Sequence, residues 1–180
     1  TFTQIGFLAD VREGIIEEKG FLNYVLFVVF FPHLIAGPIV HHREIMPQFA
    51  RKETYQLQWN NIGVGVSIFI LGLTKKVLLA DTLAPIVDDI FNNTSKEPFL
   101  SAWTGALCFT LQLYFDFSGY SEMALGLGKI FNIQFPANFD SPYKSKSIIE
   151  FWQRWHISLT RYITLYVYNP LSLWLIRQRA

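Results

Sequence analysis

Four apolar stretches, each nearly long enough to cross a bilayer and each interrupted, constrain this chain more than any other feature. Phe21 to Val40 contains Pro32, His33 and Gly37-Pro38, and Ile62 to Ala80 carries Lys75-Lys76 near its end. Phe99 to Tyr120 is apolar until Asp116, and Ile157 to Ile176 is interrupted by Asn169-Pro170. A crossing helix needs about 20 predominantly apolar residues. Simple anchors lack such defects, whereas broken helices are tolerated where they are buried in protein or line a cavity. The expected fold class is therefore all-α, a multi-pass transmembrane helical protein with broken or re-entrant helices.

Composition points to lipid as the solvent. Charged residues make up 16% of the 180, against 51% hydrophobic and 17 phenylalanines, where a soluble domain carries about 25% charge. A net charge of +1 gives no electrostatic footprint for nucleic acid, so none is expected as a partner. Cys108 is the only cysteine, which excludes an internal disulfide and a cysteine metal cluster. In an apolar run it reads as a plain buried thiol. The chain opens on Thr1 and ends just after an apolar run. The expectation is a piece of a longer protein, with residues 1–180 forming part of a single domain truncated at both ends.

The connecting segments alternate in charge. Arg43, Arg51 and Lys52 make 41–60 basic, and Lys129, Lys144, Lys146 and Arg154 do the same for 129–154. Between them, 81–98 carries Asp81, Asp88, Asp89 and Glu97 against Lys96. Basic loops stay cytoplasmic, so 62–80 and 99–120 should each cross once, with 81–98 outside. This alternation and the phenylalanine content disfavour a soluble helical domain. Arg177 and Arg179 would fall outside after a further crossing, so 157–176 is expected to be re-entrant or partly inserted. Ser121 to Phe131 reads as a separate short helix after a break at Gly119, with Ala124 and Gly128 available for close packing. Phe135 to Pro142, with two prolines, reads as a turn.

Several residues invite chemistry. At about 100° per residue, Trp152, Trp155, His156, Leu159, Ile163 and Tyr166 share one helical stripe, with Arg154 and Arg161 opposite. A histidine held among aromatics can stay neutral and accept a proton; a buried structural histidine would look the same. Asp116 in an apolar segment needs a partner or a water-filled cavity. With Ser118, Ser121 and Glu122 following, it either lines a substrate path or ties down a helix end. His33, His41, His42 and Glu44 match no zinc spacing, and no metal is expected; His41 and His42 read as ordinary loop residues. Gly126-Leu127-Gly128-Lys129 fails as a phosphate loop, and no G-x-S-x-G is present.

Three longer motifs, FFPHLIAGPIVHHREIMPQF (30–49), LYFDFSGYSEMALGLGKIFNIQFPANFDSPY (113–143) and IIEFWQRWHISLTRYI (148–163), resemble the bacterial membrane-bound O-acyltransferase family. The nearest branches are the alginate O-acetyltransferases and the D-alanyl-lipoteichoic acid transfer proteins. The resemblance implies helices around a funnel in the bacterial cytoplasmic membrane, moving an acyl group from a donor to a hydroxyl. The acceptor is an exported glycan or a downstream extracellular acyltransferase. It implies no permanently bound cofactor, and as co-substrate an acyl-CoA or the thioester of an acyl-carrier protein. By the same resemblance His156, in W-H-x-S-L, is one of two active-site residues. The second, a histidine credited as general base, falls beyond Ala180, so the piece alone is expected to be inactive. Asp116, Ser118, Trp155 and His33 are assigned to the substrate path. Where the family commonly continues with an aromatic, an Arg-Asp pair and then Pro-Leu-Gly-Gly, this chain runs Thr160-Arg161-Tyr162-Ile163-Thr164-Leu165-Tyr166 and then Asn169-Pro170-Leu171-Ser172, a departure that bears on the identity of the glycan more than on the reaction class. The alternative reading is a non-catalytic membrane transporter using Asp116 and His156 along a conduction path.

Overall fold

The computed structural model describes residues 2–16, 20–34, 37–93 and 98–179, the last without the Arg179 side chain. Lys96 and Glu97 of the acidic segment, and Ile35-Ala36 of the first apolar stretch, lie outside the described residues. The described residues are mostly helical, with one isolated antiparallel bridge between Phe139 and Trp155. The helices are α1 (Phe2–Arg12), α2 (Phe21–Val29), α3 (His42–Phe49), α4 (Trp59–Thr74), α5 (Asp81–Asn92), α6 (Phe99–Ile130), α7 (Ile148–Arg154), α8 (Ile157–Ile163) and α9 (Asn169–Arg179).

The 62–80 stretch does not end in an acidic loop. A π-helical turn over Lys75–Ala80 carries α4 straight into α5, so most of the expected 81–98 loop is helix. Trp59–Asn92, 34 residues, is the one helix among the described residues long and apolar enough to cross a membrane. Pro85 lies inside α5, where its ring crowds the Asp81 carbonyl four residues back and it offers no N–H. A π turn just before it accommodates that mismatch.

The expected break at Gly119 is absent too, since α6 runs unbroken for 32 residues through Ser121–Ile130. Gly119 serves close approach instead. A Cβ there would sit 2.7 Å from the Gly72 carbonyl oxygen, and one on Gly126 would sit 2.6 Å from that of Gly65. Both pairs lie seven residues apart, two turns, so α4 and α6 run antiparallel with their backbones touching through glycine. Small residues allow this packing where lipid supplies no hydrophobic drive between helices. Gly128, assigned from sequence to the same kind of contact, instead faces the Phe135 ring. The outer faces of the pair expose Ile70, Leu71, Leu78, Leu100, Leu107 and Leu111.

The packed core lies elsewhere. Phe7, Phe27, Val40, Ile45, Met46, Phe49 and Ile133 form it. The α2 segment is only 9 residues, about 14 Å of helix, too short to cross. Phe31–His33 then makes a 3-10 turn, with Pro32 ending the helix. The α3 helix docks through Gln48, whose amide accepts from Gln134 N–H (2.8 Å) and donates to Gln134 O (3.0 Å). At the far end, Asn169-Pro170 do not interrupt the last stretch. A π turn over Thr164–Tyr168 again precedes the proline and joins α8 to α9.

Candidate active site

The motif around His156 folds differently from a continuous stripe. Ser147 caps α7 by accepting from Glu150 N–H (3.1 Å), while Glu150 reaches back to Lys146 N–H (2.8 Å) and pairs with Arg154 (2.8 Å). Ser147 at the cap and Glu150 three residues on thus tie down the first turn of the helix. It stops at Arg154: Trp155 is extended and His156 sits in the left-handed region at φ +45°, ψ +55°. Trp152, exposed before that break, and Tyr166, well beyond it, therefore do not share a face with His156. Left-handed backbone costs a non-glycine residue about 1–2 kcal/mol. Such outliers persist where surrounding contacts over-determine them, and they cluster at functional sites.

The imidazole of His156 is half-buried, edge-on to Phe117 with ring centroids 4.7 Å apart at 86°. Its ring nitrogens have no hydrogen-bond partner among the described residues. Burial alone pulls its pKa below the ordinary histidine value, with no charged group contributing. It is thus a neutral imidazole with free nitrogens beside an aromatic wall. Trp155 belongs to that wall: it meets Phe139 edge-on at 5.0 Å and stacks on Phe151 at 5.6 Å, with Tyr143 and Tyr114 beyond.

The other residues named from sequence do not all converge here. Asp116 has the partner its location demands: Oδ1 lies 2.6 Å from Lys76 Nζ, which also reaches Asp81 at 2.8 Å. It faces the π turn, not His156. Lys75 pairs with Glu122, so both lysines of the turn are neutralised by neighbouring carboxylates. Ser118 is fully buried in α6, and its hydroxyl has no partner among the described residues. His33 packs in the aromatic core between Phe27 (6.3 Å, stacked) and Phe135 (6.0 Å, edge-on). Arg161 pairs with Glu44 through both terminal guanidinium nitrogens, one at 2.9 Å. Arg154 bonds Glu150 and the Asp140 carbonyl (3.2 Å).

A second polar centre was not read from the sequence. Asp10, buried in α1, meets His41, His42 and Tyr166. The Tyr166 hydroxyl donates to Asp10 Oδ2 (2.9 Å) and bonds His41 Nε2 (2.8 Å), and His42 Nδ1 lies 3.5 Å from the same carboxylate oxygen. His41 and His42 are therefore more than loop residues. Their signal was an aspartate inside the apolar FLADV stretch, but its partners are 31, 32 and 156 positions away. Burial, then the neighbouring His41, lowers the His42 pKa to about 4. His41 is lowered by burial against the pull of Asp10 and Glu44. The ligand-type atoms of Asp10, His41 and His42 lie within 4.8 Å of one another. However, His41 Nδ1 accepts from Arg43 N–H (3.3 Å), which leaves the ring proton on Nε2, the atom that a metal would need bare. The cluster borders a cavity of about 850 Å³ whose wall includes Arg43, Glu44, Arg161, Trp174 and Arg177.

Among the described residues, a helical architecture, one apolar 34-residue helix and a histidine in left-handed backbone fit a helical membrane protein with His156 as a proton-accepting position. The family follows from comparison. The sequence model of the membrane-bound O-acyltransferase family matches residues 10–179, and the chain belongs to that family. It is 53% identical over 152 residues, 84% of the chain, to a protein of Helicobacter pylori named peptidoglycan O-acetyltransferase. It is 45% identical over 172 residues to the probable alginate O-acetylase AlgI of Azotobacter vinelandii, and 26% over 180 to the teichoic acid D-alanyltransferase of Bacillus subtilis. The chain spans 29%, 34% and 46% of those proteins' lengths.

Proposed function

We propose that the intact protein is a membrane O-acyltransferase that moves an acyl group, in the first place acetyl, onto a hydroxyl of an exported or cell-envelope glycan. The names of the relatives support the glycan acceptor, and family membership supports the transfer. The observation that carries the reading onto particular atoms is His156: half-buried, held in left-handed backbone and without a hydrogen-bond partner among the described residues.

An alcohol is a poor nucleophile until its proton is taken. In the proposed reaction the acceptor hydroxyl oxygen attacks the donor's acyl carbon, the carbon–sulfur bond of the thioester breaks, and the thiol leaves as the ester forms. A neutral imidazole nitrogen can hold the hydroxyl proton or orient the carbonyl, and its depressed pKa keeps it unprotonated at neutral pH. Phe117 lies edge-on to the imidazole, and Trp155 packs against Phe117 on the same aromatic wall. No permanent cofactor is needed; the donor is an acyl-CoA or acyl-carrier thioester used as co-substrate, from the cytoplasmic side of the inner membrane.

In the intact protein, His156→Ala should lower transfer by about 10²–10⁴-fold, the usual range for a positioned proton-transfer group. The measurement is ester-linked acyl groups on the exported glycan, normalised to protein in the membrane fraction. Normal transfer by a well-expressed His156→Ala protein would make His156 a packing residue.

A further inference from the structure

We infer that Asn138 and Ser158 are positioning residues that clamp the backbone on both sides of His156 and so aim its imidazole. The inference rests on the proposed role of His156. It starts from the left-handed backbone at φ +45°. A helix that only needed to end would place glycine there; this chain places a histidine and surrounds it with tethers.

On the N-terminal side, Asp140 N–H donates to Arg154 O (3.0 Å), and Phe139 bridges to Trp155. On the C-terminal side, Ile157 N–H donates to Asn138 O (2.9 Å). The Asn138 side chain then accepts twice from one residue: Oδ1 takes the Ser158 hydroxyl (2.6 Å) and Ser158 N–H (3.3 Å). The Ser158 hydroxyl itself accepts from Ile39 N–H (2.9 Å), 119 residues away. Residues 138–140 therefore grip 154–158 with His156 at the centre, and the extended segment before α3 locks the grip from a third direction.

Asn138 and Ser158 are 1% and 2% exposed, so water cannot replace these bonds when one is lost. Asn138 Nδ2 has no partner among the described residues. An unsatisfied buried donor is unfavourable, and it is the acceptor oxygen of this side chain that makes the bonds to Ser158. Removing the Ser158 hydroxyl would leave Asn138 Oδ1 short of a donor and Ile39 N–H without an acceptor, and would free the first turn of α8 on which the His156 φ angle depends.

The experiment is steady-state transfer with pH–rate profiles in membranes holding the intact protein. Four variants are compared: Ser158→Ala, Ser158→Thr, His156→Ala and the Ser158→Ala/His156→Ala double. A misplaced catalytic group costs on the order of 10²-fold. We expect Ser158→Ala to lose about 10–100-fold in kcat with donor KM nearly unchanged. Its acidic limb should move up toward the ordinary histidine value as the ring gains water, Ser158→Thr should restore the rate, and the double should be no worse than His156→Ala alone. An unchanged profile, with activity falling only in step with membrane level, overturns the clamp, and so does a double that loses the product of the two single effects. A normal rate for Ser158→Ala beside an inactive His156→Ala removes the clamp and leaves the acyl-transfer reading standing. A normal rate for His156→Ala sinks both.

Discussion

At the residue scale the histidines divide by what surrounds them. His156 is poised by strain and burial, whereas His42 is held neutral by burial beside Asp10. That second effect predicts a pH-dependent stability. The folded His42 pKa, about 4, lies below the unfolded value of 6.5. Between those values the unfolded chain binds more protons, so stability falls as pH drops through that window. Each unit of depression corresponds to about 1.4 kcal/mol at most. Thermal unfolding of the detergent-solubilised protein should show His42→Gln flattening this slope between pH 6.5 and 4. An unaltered slope would place the titrating group elsewhere. The ion pair between Arg161 and Glu44 is half-exposed and joins α8 to α3. It acts as a tether, so headgroup binding is not needed to explain either side chain.

At the element scale the α4–α6 pair is the least forgiving feature. Gly72→Leu or Gly126→Leu would drive a side chain into the facing backbone, within 2.5–2.6 Å of a carbonyl oxygen. Overpacking of this kind costs about 1–3 kcal/mol or more, and folded protein recovered from membranes should drop sharply. Gly63→Leu, where nothing lies within 4 Å, should be tolerated, and equal losses at all three positions would refute the glycine seam. The same pair carries charges. Asp116→Asn leaves Lys76 with Asp81 as its remaining partner, and a membrane-embedded cation short of partners is expensive. The expected result is reduced membrane level for Asp116→Asn, recovered by Asp116→Asn/Lys76→Met, because removing both partners avoids the uncompensated charge. If Asp116→Asn is inserted normally while transfer falls, Asp116 belongs to the substrate path instead.

At the scale of the whole molecule the open question is how the chain sits in the bilayer. Trp59–Asn92 ends on the acidic segment, and α6 leads back to the basic 129–154 region. If basic segments stay inside, then in a Cys108→Ser background a cysteine at Asn93 should react with an impermeant thiol reagent on intact cells, and one at Ser145 should not. Labelling of both from one side would overturn the crossing expected at 99–120.

What the sequence determined alone is what depends on local pattern. Apolar runs of helical length set the class and the lipid-facing surface, and three long motifs set the family. The end of each helix was harder, because Gly119 and Pro170 are ambiguous as isolated residues. Gly119 breaks a helix in one setting and lets two helices touch in another, and only the facing Gly72 decides. The site was legible as a residue and illegible as a geometry. The stripe through Trp152, His156 and Tyr166 assumed continuous helical rotation, and His156 reverses its φ because Asn138 and Ser158 hold its neighbours. Tyr166 finds Asp10 across 156 positions of sequence. Periodicity reports the local backbone, whereas the sign of a dihedral at a strained residue and the partner of a buried carboxylate are set by hydrogen bonds from distant segments, which only the tertiary structure brings together.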